Sequence, residues 1–140
     1  MSSNLRRPDG TRRDGPAGTE RRPRQLPGAA LLDRWASHDW SHGIRVTDLL
    51  ALDRVLVRTE NSTYEIAVLT PGTSEIAVRG GTFFPSLTRA RLAGSSLGGS
   101  FLKLHTIHVG LRMEIVVDSR PIVTSPVQTI AVTRASRAIM

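Results

Sequence analysis

The sequence contains no cysteine, and this excludes several classes of protein at once. Without thiols there is no disulfide framework, no thiolate zinc site and no iron–sulfur cluster. A reducing compartment suits such a chain, so the cytoplasm is the expected location. The length of 140 residues allows one modest domain. It excludes a (β/α)8 barrel, which takes about 250 residues.

Long apolar runs, lysine and aromatic residues are also scarce. No run of about 18 apolar residues occurs, which predicts that no helix spans a membrane. Eighteen of the 19 basic residues are arginine, and the remaining one is Lys103. An arginine excess is typical of nucleic-acid contacts, but the coding bias of a GC-rich genome produces the same excess. The composition leaves both explanations open.

The first 28 residues predict a disordered basic tail. They hold four prolines, four glycines and only four apolar side chains, too few to offset the entropy of ordering the backbone. The tail carries a net charge of +4. It could neutralise phosphates, or serve as a solubilising or protein-docking arm. The arginines that would contact nucleic acid are Arg6, Arg7, Arg12, Arg13, Arg21, Arg22 and Arg24.

Residues 29–53 predict a connector with short helical turns. A helical stretch over 29–35 follows the Pro27-Gly28 pair, and Thr47 precedes one further turn. Both tryptophans, Trp35 and Trp40, lie in this connector. Since tryptophan is enriched at interface hot spots, the two rings could dock into a partner. Alternatively, they cover the open end of the adjoining domain, as large aromatic side chains are mostly buried.

Residues 54–133 alternate between apolar and polar side chains, which predicts β-strands. The clearest pair is a hairpin of 54–59 and 64–69 around Asn61. About seven short strands without intervening helices indicate an all-β fold, a small antiparallel β sandwich or barrel. Residues 134–140 predict a flexible C-terminus. The remaining predicted strands are 75–79, 88–93, 101–109, 111–117, 122–124 and 127–132.

The run 101–109 has apolar residues on both strand faces. In a small domain with one core, a second apolar face indicates a covering surface. A partner subunit would provide it in a homo-oligomer. The connector with Trp35 and Trp40 is the alternative.

No motif predicts a catalytic site. Gly94–Gly98 fits the G-x-S-x-G pattern, in which the serine precedes a helix and is followed in the chain by an acid and then a histidine. No such acid-then-histidine succession follows Ser96, because no histidine occurs after His108, and the next segment is predicted as strand. A Gly/Ser turn is therefore expected. Ser100 and Lys103 fit S-x-x-K, which needs a helix, because residues three apart on a strand point to opposite faces.

No metal or cofactor is predicted either. The candidate ligands are His105, His108 and Glu114, but histidines three apart on a strand diverge unless a bulge at Thr106 or Ile107 realigns them.

These observations favour a non-catalytic binding or assembly module. In this hypothesis a small self-associating β domain docks a partner protein through Trp35, Trp40, Phe83 and Phe84, and the basic tail tethers it. Since neighbouring strand residues face opposite ways, one of the two phenylalanines belongs to the core.

Two other functions remain open. The first is a nucleic-acid-binding barrel in which the tail neutralises phosphates and one phenylalanine stacks on a base. The second is a small metal-dependent or Ser/Lys-dependent enzyme. In the nucleic-acid-binding barrel, the basic residues flanking the stacking phenylalanine would be Arg54, Arg58, Arg89, Arg91 and Lys103.

Overall fold

The computed structural model describes residues 28–99 and 101–135. Apart from Gly28, the tail predicted for residues 1–28 lies outside the described residues, as do Ser100 and residues 136–140. The described part is mostly strand, so the predicted all-β fold is confirmed. Its elements are α1 (Gly28–Ala36), β1 (Gly43–Arg45), β2 (Arg54–Thr59), β3 (Thr63–Thr70), β4 (Glu75–Gly80), β5 (Phe84–Ser96), β6 (Leu102–Leu104), β7 (Thr106–His108), β8 (Arg112–Val117) and β9 (Arg120–Thr133).

The chain divides between His38 and Asp39 into two units. The first contains α1, where alanine and leucine, both strong helix formers, follow Pro27-Gly28. Its C-terminal end is closed by the Ser37 N–H, which donates to the Asp33 carbonyl at 2.9 Å. No helix among the described residues has the length and apolar character needed to cross a membrane.

The second unit is a closed ring of strands. The sheet order is β4-β3-β2-β9-β8-β5-β6, and β4 also pairs with β5. This extra pairing joins the two sides of the sheet, so β2, β3, β4, β5, β8 and β9 form a six-stranded antiparallel barrel. Of the two architectures that the sequence left open, the structure has the barrel.

Alternation of side chains builds the core. On β2 the buried residues Val55 and Val57 alternate with Arg54, Leu56 and Arg58, which are exposed. Two further short segments, the 3-10 turns Val46–Asp48 and Pro71–Thr73, connect strands. The barrel interior is filled by Val55, Val57, Ile66, Val68, Ile76, Val78, Phe84, Leu92, Met113 and Ile115.

Aromatic packing closes one part of this core. Phe84 is almost completely buried and meets the Tyr64 ring edge-on, with ring centroids 6.4 Å apart. Burial raises the pKa of the Tyr64 phenol, while a hydrogen bond to Ser62 acts in the opposite direction.

The run 101–109 is not the single long strand that the sequence predicts. It is divided at His105, whose φ of 62° is left-handed, into β6 and β7. β6 extends the barrel sheet at β5, whereas β7 pairs antiparallel with β1 in a separate two-stranded sheet. The prediction of one strand with two apolar faces is therefore wrong, because the backbone turns a corner at His105.

Two further strand predictions are corrected in extent. Residues 94–96 do not form a turn, because β5 continues through Ser96 as a strand of 13 residues. Likewise, 122–124 and 127–132 belong to one strand, β9, whose register with β8 shifts near Pro126. Proline lacks the N–H that a regular ladder needs, so the strand accommodates it at an irregular position.

Candidate interaction site

β6 forms an open edge of the barrel sheet. Among the described strands of that sheet, only β6 has a neighbour on one side alone, namely β5. The His105 N–H donates to the Ala93 carbonyl at 3.0 Å, so alternation directs the amides of Leu102 and Leu104 away from β5. We call Leu102, Lys103 and Leu104 the β6 edge. Such an edge can template pairing with another strand.

Two leucines of the β6 edge are exposed on the same face. Leu102 and Leu104 keep 36% and 57% of their surface accessible. They are two residues apart on a strand and therefore point the same way. Two exposed apolar side chains beside an open edge are uncommon in natural sheets, which often place charges or prolines there. The one charge of this edge, Lys103, lies over the Trp40 ring.

The opposite face of β6 is covered by an aromatic cluster. Lys103 Nζ lies 4.8 Å from the centroid of the Trp40 ring, within the range of a cation–π interaction. Trp40 also meets the His108 ring edge-on, with centroids 4.9 Å apart. Trp40 thus packs against the chain's own Lys103 and His108, whereas the face with Leu102 and Leu104 stays exposed.

The cluster explains why residue 43 is glycine. Gly43 pairs with His108 in the β1–β7 sheet, and a Cβ at Gly43 would lie 2.0 Å from His108 Nδ1. Only a residue without a side chain leaves room for the imidazole there. His108 is therefore held between Gly43 and Trp40.

A buried serine fixes the corner at His105. Ser74 has a left-handed φ of 58°, is fully buried, and its Oγ lies 2.7 Å from His105 Nδ1. A serine and a histidine at this distance have the separation of a nucleophile and its base. Burial keeps the hydroxyl from a substrate, however, so the contact ties the turn after β3 to the end of β6.

We expect Ser74→Ala to reduce the free energy of unfolding by about 1–2 kcal/mol, because a buried hydrogen bond is lost while the left-handed backbone remains. Ser74→Gly should cost less, because glycine relieves the backbone strain at φ 58°. Urea unfolding of both variants measures the difference. Equal stability of Ser74→Ala and the unmodified chain would show that the hydrogen bond contributes nothing.

Asp39, Ser41 and His42 form a second group of catalytic residue types. Ser41 Oγ donates to Asp39 Oδ1 at 2.5 Å and lies 3.1 Å from His42 Nδ1. Asp39 Oδ2 lies 3.3 Å from the same His42 nitrogen. A catalytic triad needs the two different ring nitrogens of the histidine to contact the acid and the serine. The group is instead a local turn, in which the Ser41 hydroxyl is the main cause of a lowered pKa of Asp39.

The candidate metal ligands do not converge. His105 contacts Ser74, His108 packs on Gly43 and Trp40, and Glu114 lies on β8 opposite Gly94 and Val123. Within the two described ranges, no group of three or more His, Asp or Glu residues could hold a metal ion. The motif serine Ser100 is outside the described residues, so the Ser100/Lys103 pair has no geometry to report.

The predicted partner-binding residues are distributed over the chain. Phe84 lies in the core. Of the two phenylalanines, Phe83 is therefore the one available at the surface, where it is 46% exposed in the turn before β5. Trp35 is half-buried in the first unit, and Trp40 belongs to the second. The ring contacts of Trp40 are with His108 and Lys103, and none of the described contacts joins Trp40 to Phe83.

The basic residues of the nucleic-acid alternative separate into two sets. Four arginines are exposed on two barrel strands that β3 and β4 separate, namely Arg54 and Arg58 on β2 and Arg89 and Arg91 on β5. Lys103 instead lies over Trp40. The seven tail arginines lie outside the described residues.

Sequence reasoning missed the exposure of Leu102 and Leu104 and the Ser74–His105 contact. Gly94, which pairs with Leu104, was a usable signal for the close approach of β6. For Ser74 no local signal exists.

A scan against family models finds no match, and searches of curated proteins and of solved structures find no significant match either.

Proposed function

We propose that the protein is a non-catalytic assembly module in which the β6 edge pairs antiparallel with the β6 edge of a second copy. The observation that carries this proposal is the exposed pair Leu102 and Leu104 beside outward-directed backbone amides. Strand addition supplies main-chain hydrogen bonds, and the side chains on the same face supply apolar burial. Two copies would place four leucines on one continuous surface.

The polar groups that could do chemistry support a non-catalytic role. Ser74 is buried on His105, and Ser41 donates its hydroxyl to Asp39. Both serines thus serve local structure. The proposed location is the cytoplasm, because a chain without cysteine suits a reducing compartment. The same proposal includes docking of a partner protein through Trp35 or Phe83, with the basic tail as a tether to that partner.

We expect the full-length chain to form a discrete oligomer that persists in high salt, because its contact is apolar. Leu104→Ser should weaken association about tenfold or more, since each copy loses about 1 kcal/mol or more of apolar burial. Static light scattering over a concentration series measures both. The matched control is Leu87→Ser, because Leu87 is 61% exposed but lies on β5, away from the β6 edge.

The outcome that contradicts the proposal is a monomer at all concentrations. An oligomer that Leu104→Ser and Leu87→Ser affect equally would also contradict it, because the contact would then lie elsewhere.

A further inference from the structure

The outer surface of four neighbouring barrel strands presents arginines on one face. Cross-strand pairs place Arg54 opposite Ala67, Ala67 opposite Ala77, and Ala77 opposite Arg89. Paired residues share a face of the sheet, so Arg54 and Arg89 flank a strip floored by two alanines. Three strand spacings separate them, roughly 14 Å. Arg58 and Arg91 lie on the same face, an even number of residues from Arg54 and Arg89.

We call the outward side of β2, β3, β4 and β5 the arginine face. It carries five arginines and two glutamates, hence a net charge of +3. Each glutamate is already paired with an arginine: Glu65 with Arg79, and Glu75 with Arg89 at 3.7 Å. Arg54, Arg58 and Arg91 have no ion pair among the described residues. Three guanidinium groups thus remain to attract an anion.

Apolar side chains lie among these charges. Leu56 and Leu87 are 48% and 61% exposed on β2 and β5, and Phe83 is exposed in the turn that joins β4 to β5. Near Arg89 and Arg91 the surface also opens into a depression of about 330 Å³ that Ser119 helps to line. Glu75 and Asp118 line it too, so anions are favoured on the strip rather than inside the depression.

We propose that the arginine face binds single-stranded nucleic acid. The arginines match the phosphates in charge, and Leu56, Leu87 and Phe83 offer apolar contact to unstacked bases. A duplex shields its bases and would meet only the arginines. This surface is distinct from the β6 edge, because Arg89 and Arg91 lie where β5 pairs with β4, whereas β6 pairs with residues 94–96.

The test is fluorescence anisotropy of the full-length chain with a labelled oligothymidine and with a duplex of equal length, in low and moderate salt. The single strand should bind more tightly. Arg54→Gln and Arg91→Gln should each weaken binding about threefold or more and lower the salt slope by about 0.7. Phe83→Ala should weaken binding about fivefold without changing that slope, because stacking is uncharged.

The control is Arg45→Gln, which removes the same charge from β1 of the two-stranded sheet. All variants keep the basic tail, so its contribution cancels. If Arg45→Gln has the same effect as Arg54→Gln, binding is general polyanion attraction and the proposal fails. It also fails if the duplex binds as well as the single strand. If no oligonucleotide binds but Arg54→Gln alters the oligomeric mass, the face is a protein interface instead.

Discussion

Replacing Phe84 by alanine is expected to lower the free energy of unfolding by about 3–5 kcal/mol, the usual cost of an aromatic-to-alanine change in a core. Phe84 is 1% exposed and packs edge-on against Tyr64, so its removal leaves a cavity that the closed ring of strands cannot readily fill. Chemical denaturation monitored by circular dichroism measures the loss.

Phe83→Ala is the matched control for this change. Its ring is 46% exposed, and we expect an effect within about 0.5 kcal/mol. A similar cost for both substitutions would contradict the placement of the two neighbouring rings on opposite sides of the barrel wall.

Gly94→Ala is expected to separate β6 from β5. A Cβ at Gly94 would lie 2.2 Å from the Lys103 carbonyl oxygen, and the φ of +153° strains any residue with a side chain. Because the clash is with backbone, no side-chain rotation relieves it. We expect a loss of at least about 2 kcal/mol, and faster amide exchange in β6.

Gly72→Ala is the control, since a Cβ at Gly72 would meet no atom within 4 Å and the φ of this glycine is not positive. Alanine there should be neutral or slightly stabilising. If the β6 edge mediates assembly, Gly94→Ala should also yield monomer while Gly72→Ala retains the oligomer. Retention of the oligomer by a Gly94→Ala chain with a displaced β6 would point to another interface.

The barrel strands were predictable because one of their faces is buried. The alternation along β2 reproduces its bounds at Arg54–Thr59, and the hairpin to β3 follows from the turn residues between them. Closure by β4–β5 pairing was not predictable, since a sandwich and a barrel require the same alternation.

The corner at His105 could not be predicted from local sequence. Leu104 and the β-branched Thr106 on either side favour strand, and the left-handed backbone is held by Ser74, which lies 31 residues away in sequence. The open edge and its exposed leucines result from this corner. Tertiary contacts thus determine the candidate site and the closure of the barrel, whereas side-chain periodicity determines the individual strands.

The glycines carried more information than the motif matches. Gly94 belongs to a G-x-S-x-G match without catalytic geometry, but its missing side chain permits β6 to approach β5. Gly43 likewise admits the His108 ring. The absence of a side chain at these positions is a packing requirement that periodicity does not reveal.

Hydrogen–deuterium exchange at the amides of Leu102 and Leu104, measured over a range of protein concentrations, tests the proposed assembly most directly. These amides point away from β5, so in a monomer they exchange freely, whereas strand pairing between copies protects them. We predict protection that increases with concentration and disappears on dilution or in Leu104→Ser. Exchange that is fast and independent of concentration, in a chain that light scattering shows to be oligomeric, would contradict assembly through the β6 edge.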